Sequence, residues 1–315
     1  SLLPYFVRVK KSDLGIPPAI NHPPIYVPMH ESQRRIYEFI EESFVKDIAE
    51  NKDAQFKKSL VKARLIRLMQ AATNPELLRQ PLSAFAVEEG INLSDVTEDA
   101  EIINSVLRYH TNETPAKFEA ALELIKDIIS QNGKVVVWAC YIKTIELFSD
   151  FLNKNGIPCK ILFGATPVAF DGMTEEDEGY SDTREAIIKE FHRPDSPFKV
   201  IIANPFAVAE SISLHKACHN AIYLERSFNC AHFIQSKDRI HRYGLSPDVE
   251  THYYYLVSAN TVDSVIDERL TEKEQRLLDI IESMPIPLFD NTMEEAGNED
   301  IKAVLRDYAK RVKEV

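Results

Sequence analysis

Gln235-Ser236-Lys237-Asp238-Arg239-Ile240-His241-Arg242-Tyr243-Gly244 is the stretch on which the reading of this chain turns. No helix breaker precedes Gly244, so the spacing predicts a helix running up to it. Arginines at i and i+3 would share one face of that helix. Two planar, permanently charged forks on one face suit a polyphosphate. A solvated basic face is the competing explanation, since Lys237 and His241 are polar as well.

The flanking residues favour the phosphate reading. Lys199-Val200-Ile201-Ile202-Ala203 is a short, apolar, β-branched run. Residues 207–214 follow, then Asn220-Ala221-Ile222-Tyr223-Leu224-Glu225, ending at Ser227-Phe228-Asn229. Strand, loop, helix and second strand, leading into the arginines, describe a parallel α/β unit with its loops at one sheet edge. Ligands bind at that edge in such sheets.

At this point the chain resembles the C-terminal lobe of the Swi/Snf-type helicase-like ATPases, in the second helicase superfamily. Gln235, Arg239, Arg242 and Gly244 match the last helicase motif, and residues 203–214 and 222–229 match the motif and strand before it. Tyr5-Phe6-Val7-Arg8-Val9-Lys10-Lys11, with Leu14 and Pro17-Pro18, looks like the exit from such an enzyme's first lobe. Gln33-Arg34-Arg35-Ile36-Tyr37 resembles the opening of its helical insertion, and Leu65 to Gln70 with Asn74-Pro75 its close. Ala116-Lys117-Phe118 leads into a helix and then Lys134 to Trp138, like the lobe's first strand; Thr261-Val262-Asp263 opens a segment similar to the brace helix.

The resemblance implies an α/β fold: a RecA-like parallel sheet with helices on both faces, a mostly helical inserted subdomain, and C-terminal brace helices. It implies the C-terminal half of an ATP-dependent DNA translocase. Arg242 would be the arginine finger on the γ-phosphate, assisted by Arg239, with Gln235, Glu210 and Ser211 on the nucleotide side. Thr166, in Gly164-Ala165-Thr166-Pro167, would lie near a DNA phosphate, and Lys143, Lys58 and Lys62 are expected along the same track. ATP and Mg²⁺ would be bound chiefly by a first lobe. The expected partners are double-stranded DNA and an N-terminal helicase lobe of the same chain, with no membrane and no metal site in this segment. A catalytically degenerate lobe that only docks partners is the alternative, and an RNA helicase lobe a further one, disfavoured by the helical insertion.

Two departures from the family pattern bear on this. Close glycines normally precede Leu214, but this chain has Val208-Ala209-Glu210-Ser211 there. The last motif normally ends Gly-Gln, and here it ends Gly244-Leu245. Both arginines and Gln235 are kept.

No P-loop occurs. The Gly133-Lys134 pair is followed by Val135 and has Ile128 where the first glycine of the phosphate-binding pattern belongs. No Asp-Glu pair closes an apolar strand, and the chain starts at Ser1 rather than Met. The expectation is an excised C-terminal half, inactive by itself.

With 315 residues, 44% of them hydrophobic, the chain can bury a substantial core in about two domains. No apolar run approaches the roughly 20 residues of a membrane span, so an intracellular protein is expected, in a prokaryotic cytoplasm or a eukaryotic nucleus. Cys140, Cys159, Cys218 and Cys230 form no Cys-x-x-Cys pair. His215, Cys218 and His219 lack an evident fourth ligand nearby and are expected to be ordinary packing residues.

A net charge of −12 looks wrong for a nucleic-acid partner until its distribution is read. Lys57, Lys58, Lys62, Arg64 and Arg67 occur with no acid among them, while Val61, Leu65, Leu68 and Ala72 recur on one side. The pattern predicts an amphipathic helix with a basic outer face, of use to DNA or simply solvated. Acids gather at 171–182 and 294–300, the first in a loop that the family pattern lacks.

The expected organisation is an extended, proline-rich segment over 1–30 and a helical insertion over 31–112, irregular across 81–99. The helicase lobe with its brace helix spans 113–283, and a C-terminal helical extension spans 284–315. Within the lobe, helices are expected over 117–129, 142–154, 183–191 and 262–282, with a short one near Leu214 and another over 301–313. Strands are expected over 135–139, 159–163, 200–203, 221–224 and 252–257.

Overall fold

The computed structural model describes residues 12–50, 54–79, 106, 109, 113–208, 212–227, 230–282, 304, 307 and 308. Two edge strands open the lobe, β1 (Ile20–Asn21) and β2 (Ile25–Val27), followed by helices α1 (Glu31–Glu50) and α2 (Ala54–Thr73). Helix α3 (Ala116–Ser130), strand β3 (Val135–Trp138), helix α4 (Ile142–Lys154) and strand β4 (Cys159–Leu162) come next. Helix α5 (Arg184–His192), strand β5 (Val200–Ala203), the single turn α6 (Pro205–Val208) and strand β6 (Asn220–Tyr223) follow. Helix α7 (Cys230–Lys237), strand β7 (His252–Ser258) and helix α8 (Val262–Glu282) close the set.

The sheet order is β1-β7-β6-β3-β5-β4, with β2 also beside β7, and every pairing is parallel. A parallel sheet with both faces covered calls for short, continuously apolar strands. Val135–Trp138 and Val200–Ala203 are buried at every position. Alternate residues divide between the faces. Val135, Val137, Ile202 and Ile222 pack with Phe118, Ala121, Leu122, Ile125 and Phe148 of α3 and α4. Val136, Trp138, Ile201 and Tyr223 pack with Ile187, Phe191 and Phe233 of α5 and α7.

Helix α3 forms because Phe118, Ala121, Leu122, Ile125 and Ile128 recur at helical spacing. It stops where Asn132 turns left-handed at φ 60° and the Gly133 N–H returns to the Ile128 carbonyl at 2.9 Å. A Cβ on Gly133 would meet that carbonyl at 2.9 Å, so only glycine fits. A third apolar cluster joins α1 and α2 to the head of α8: Tyr37, Ile40, Leu65 and Leu68 against Val262, Val265, Ile266 and Leu270.

Three expectations are corrected. The arginine helix ends at Lys237, and residues 238–244 are turns, so Arg239 and Arg242 do not share a helical face. The reason is tertiary: the Arg239 carbonyl leaves the helical ladder to accept the Leu214 N–H at 3.0 Å. Near Leu214 the chain makes a turn, and the short helix is α6, earlier in the sequence. Arg67 does not belong to a basic outer face. It is buried, donating to Gln70 Oε1 at 3.0 Å and to the Leu78 carbonyl at 3.2 Å. The side chains of Lys57, Lys58 and Lys62 lie outside the described residues, as do residues 81–99 and most of 301–313.

Candidate functional site

The carboxyl ends of β3, β5 and β6 converge at the point where connections leave the sheet in opposite directions, from β3 towards β4 and from β6 towards β7. Such a point is the usual ligand crevice. Here the protein fills it with its own carboxylate. Glu225, fully buried just past β6, accepts the N–H groups of Cys140 and Tyr141 on Oε2, at 2.9 and 3.1 Å, and the Thr144 hydroxyl on Oε1 at 2.7 Å. Asn204, just past β5, donates to the Cys140 carbonyl at 2.7 Å and accepts the Phe206 N–H at 2.7 Å. Lys117 of α3 donates to the Leu224 carbonyl at 3.2 Å and pairs with Asp263 of α8. Burial pushes the Glu225 carboxyl up to about 7, against the downward pull of its hydrogen bonds to Thr144 and Tyr141. The sequence carried a signal for this residue, an acid ending an apolar β-run, but no residue-level rule said where it would turn.

A second, open surface lies at the turn that follows α7 and leads into β7, on the amino-end side of the sheet where Pro17 precedes β1 and Leu214 precedes β6. Gln235 and Arg242 are exposed, and Arg239 is half-buried. Arg239 donates from Nη1 to the Ile212 carbonyl at 3.4 Å. Among the described residues no acid pairs with Arg242. The turn is tethered at both flanks, by Arg239 O to Leu214 N–H and by the His241 ring to the Pro17 carbonyl at 2.7 Å. Gly244 adopts φ +98°, and a Cβ there would approach His215 Nε2 to 3.1 Å, so glycine lets the turn close against that ring. His215 in turn bonds Ser213 Oγ at 2.9 Å. Burial first, and Arg242 second, lower the His215 pKa and favour its neutral form beside the arginine. The arginine turn and the 212–215 segment form one unit, with a free guanidinium at its rim.

Other candidates stand apart from that rim. Glu210 and Ser211 lie outside the described residues. Thr166 is buried after β4, its hydroxyl accepting the Phe163 N–H at 3.0 Å while its own N–H donates to the Phe163 carbonyl at 3.0 Å. Lys143, in the first turn of α4, pairs with Glu146 at 2.9 Å in a partly exposed contact of little energetic worth. The Cys218 thiol, pushed up to about 12 by burial, faces the Asn220 and Lys134 carbonyls and stays protonated. The acidic 171–182 loop is pinned by Glu175 to Lys189 and by Asp182 to Lys160, leaving Val168 and Phe170 exposed at its entry. Among the described residues no helix is long and apolar enough to cross a membrane.

Known proteins share this architecture. The family described as helicase conserved C-terminal domain matches residues 116–244. An uncharacterized ATP-dependent helicase of Mycoplasma pneumoniae is 29% identical over 163 residues, covering 52% of this chain and 14% of that protein. Helicase SWR1 of Debaryomyces hansenii is 25% identical over 191 residues, covering 61% of this chain and 10% of that protein. The chain therefore spans a small part of the length of these relatives. The crystal structure of the C-terminal part of the Fun30 ATPase domain superposes with a TM-score of 0.59 at 18% identity, covering 94% of this chain and 99% of the other. The Sulfolobus solfataricus SWI2/SNF2 ATPase core in complex with dsDNA gives 0.52 at 17% identity, over 89% of this chain and 49% of that one. Residues 116–244 thus match the helicase conserved C-terminal domain, on a parallel-sheet fold similar to those of these SWI2/SNF2-type ATPase structures.

Proposed function

We propose that the chain is the C-terminal half of an ATP-dependent translocase acting on double-stranded DNA, supplying the arginine finger to a nucleotide held mainly by a first lobe. The observation that carries this is the Arg242 guanidinium, exposed on a turn fixed at Leu214 and Pro17. Relatives named as ATP-dependent helicases, and a structural neighbour described with dsDNA, support the same reading.

The exposed donors fit a polyphosphate: a planar fork at Arg242 and an amide at Gln235, on a stretch free of acids except Asp238. ATP supplies a γ-phosphoryl group whose transfer to water is limited by positioning and charge stabilisation. Arg242 would meet the charge that spreads over that group, and Gln235 would hold an adjacent oxygen. Arg239, bonded to the Ile212 carbonyl, anchors the turn from behind. Mg²⁺ would be held by carboxylates of the first lobe. Closure of the two lobes over the nucleotide would bring Arg242 into place, and reopening would release it. Repeated on a phosphate backbone, that cycle moves the protein along duplex DNA.

The degenerate docking lobe remains the second reading, favoured by Val208-Ala209-Glu210-Ser211 in place of close glycines. Phosphate release separates the two. The chain alone, with DNA and Mg²⁺, should stay at background, because it has no P-loop. Joined to its first lobe it should turn ATP over in a DNA-stimulated way. A joined protein that binds DNA without turnover would favour docking, and DNA-stimulated turnover by the chain alone would contradict the half-site reading.

A further inference from the structure

Behind the arginine turn, two cations are held by aromatic rings and by acids of α8. Lys237, the last residue of α7, is buried. Its Nζ stands 5.0 Å from the ring centres of Phe233 and Tyr253 and 5.8 Å from that of Tyr255. It donates to Glu274 Oε1 at 2.6 Å. Arg226, at the exit of β6, lies 4.8 Å from the Tyr255 ring centre and 5.8 Å from that of Phe233, and pairs with Asp267; both side chains are buried. Phe233 and Tyr255 are thus shared by both cations. Asp267 and Glu274 stand seven residues apart, about two turns, on one face of α8.

Buried ion pairs are poor sources of stability, because removing both charges from water offsets most of their attraction. Their geometric demands are strict, and the rings recover part of the desolvation cost. The arrangement is therefore better suited to fixing a position than to holding the fold together. Lys237 is fixed at both ends. Its carbonyl accepts the Tyr253 hydroxyl at 2.8 Å and the N–H groups of Ile240 and His241 at 3.4 and 3.3 Å. Those amides belong to the turn that bears Arg239 and Arg242. At its head, through Val262, Val265, Ile266 and Leu270, α8 is buried in the apolar cluster of α1 and α2. One helix thereby joins the helical subdomain to the arginine turn.

We propose that α8 positions Arg239 and Arg242 through the caged cations Lys237 and Arg226, so that the helical subdomain sets where the arginine turn stands. The proposal rests on the reading that these arginines serve ATP turnover. Lys237, Arg226, Glu274 and Asp267 are positioning residues, since they act through the turn.

The test uses the full-length protein carrying Glu274→Gln or Asp267→Asn, with amide exchange and steady-state kinetics measured on the same preparations. Exchange at residues 239–245 should quicken by about tenfold while the amides of β3 and β5 keep their rates. The kcat should fall about fivefold or more, with KM for ATP held within about twofold. A Lys237→Met/Glu274→Leu pair should restore the melting temperature, since apolar replacement of a buried ion pair is tolerated, yet leave kcat low. Unchanged exchange at 239–245, a retained kcat, or full rescue of kcat by the apolar pair would each overturn the proposal. Arg242→Ala separates the two levels. Normal turnover in that variant defeats the arginine reading itself, whereas lost turnover beside an unaffected Glu274→Gln defeats only the positioning.

Discussion

Burial and hydrogen bonding pull Glu225 in opposite directions. Two backbone N–H groups and the Thr144 hydroxyl favour its carboxylate form, while complete burial favours the acid, and burial prevails, raising the carboxyl from 4.5 to about 7. A folded-state pKa above the unfolded one means that the folded chain holds the extra proton between those two values. Its contribution to stability is complete below about 4.5 and lost as pH rises through about 7. Glu225→Gln should therefore melt at a temperature that rises relative to the unsubstituted chain between pH about 5 and about 8. The amide oxygen can still accept the two N–H groups, and the Thr144 hydroxyl can turn to accept from the amide nitrogen. Melting curves across that pH range check this, and a pH-independent difference would remove Glu225 as the group responsible. The residue was visible in the sequence as an acid ending an apolar run, yet its partners lie 81 to 85 positions away and no local pattern reports them. Arg242 drew attention through its spacing from Arg239, a local pattern, but the helical face that spacing predicted is not formed.

Helix α2 is where sequence periodicity gave a correct element and a partly wrong surface. Its span is helical, but Arg67 turns inwards to Gln70 and the Leu78 carbonyl, which apolar periodicity could not reveal because a paired arginine can enter a core. If Lys58 and Lys62 line a DNA track, reversing both charges should weaken duplex binding and reduce the salt slope by about two. Titrations at several salt concentrations measure it, and unchanged affinity at low salt would leave α2 a solvated surface. Helix α7 errs in the same physical way. Propensity continued it to Gly244, but the Leu214 N–H captured the Arg239 carbonyl and the His241 ring took the Pro17 carbonyl. Strands β1 and β2 were hidden by length. Two or three residues between prolines carry no period, and they pair with β7 only because the linker returns across the sheet edge.

The larger architecture was legible because parallel sheets demand buried apolar runs at regular intervals, and Val135–Trp138, Val200–Ala203 and residues 221–223 supply them. The crevice those strands create is occupied by Glu225, and the exposed arginine turn stands away from it, between α7 and the start of β7. The proposed arginine finger is tested by what Arg242 does in a protein that also carries a first lobe. A finger acts mainly in the transition state, so its loss should depress turnover far more than nucleotide binding. In the two-lobed protein, Arg242→Ala should lower DNA-stimulated ATP turnover by about a thousandfold, the range for arginine fingers. Nucleotide affinity should change by less than about tenfold, and Arg242→Lys should rescue little, because a point charge cannot reproduce a planar fork. The decisive measurement is steady-state turnover beside equilibrium nucleotide binding, on Arg242→Ala protein with matched melting behaviour. Turnover lost with affinity kept is the predicted result, and near-normal turnover would contradict the account.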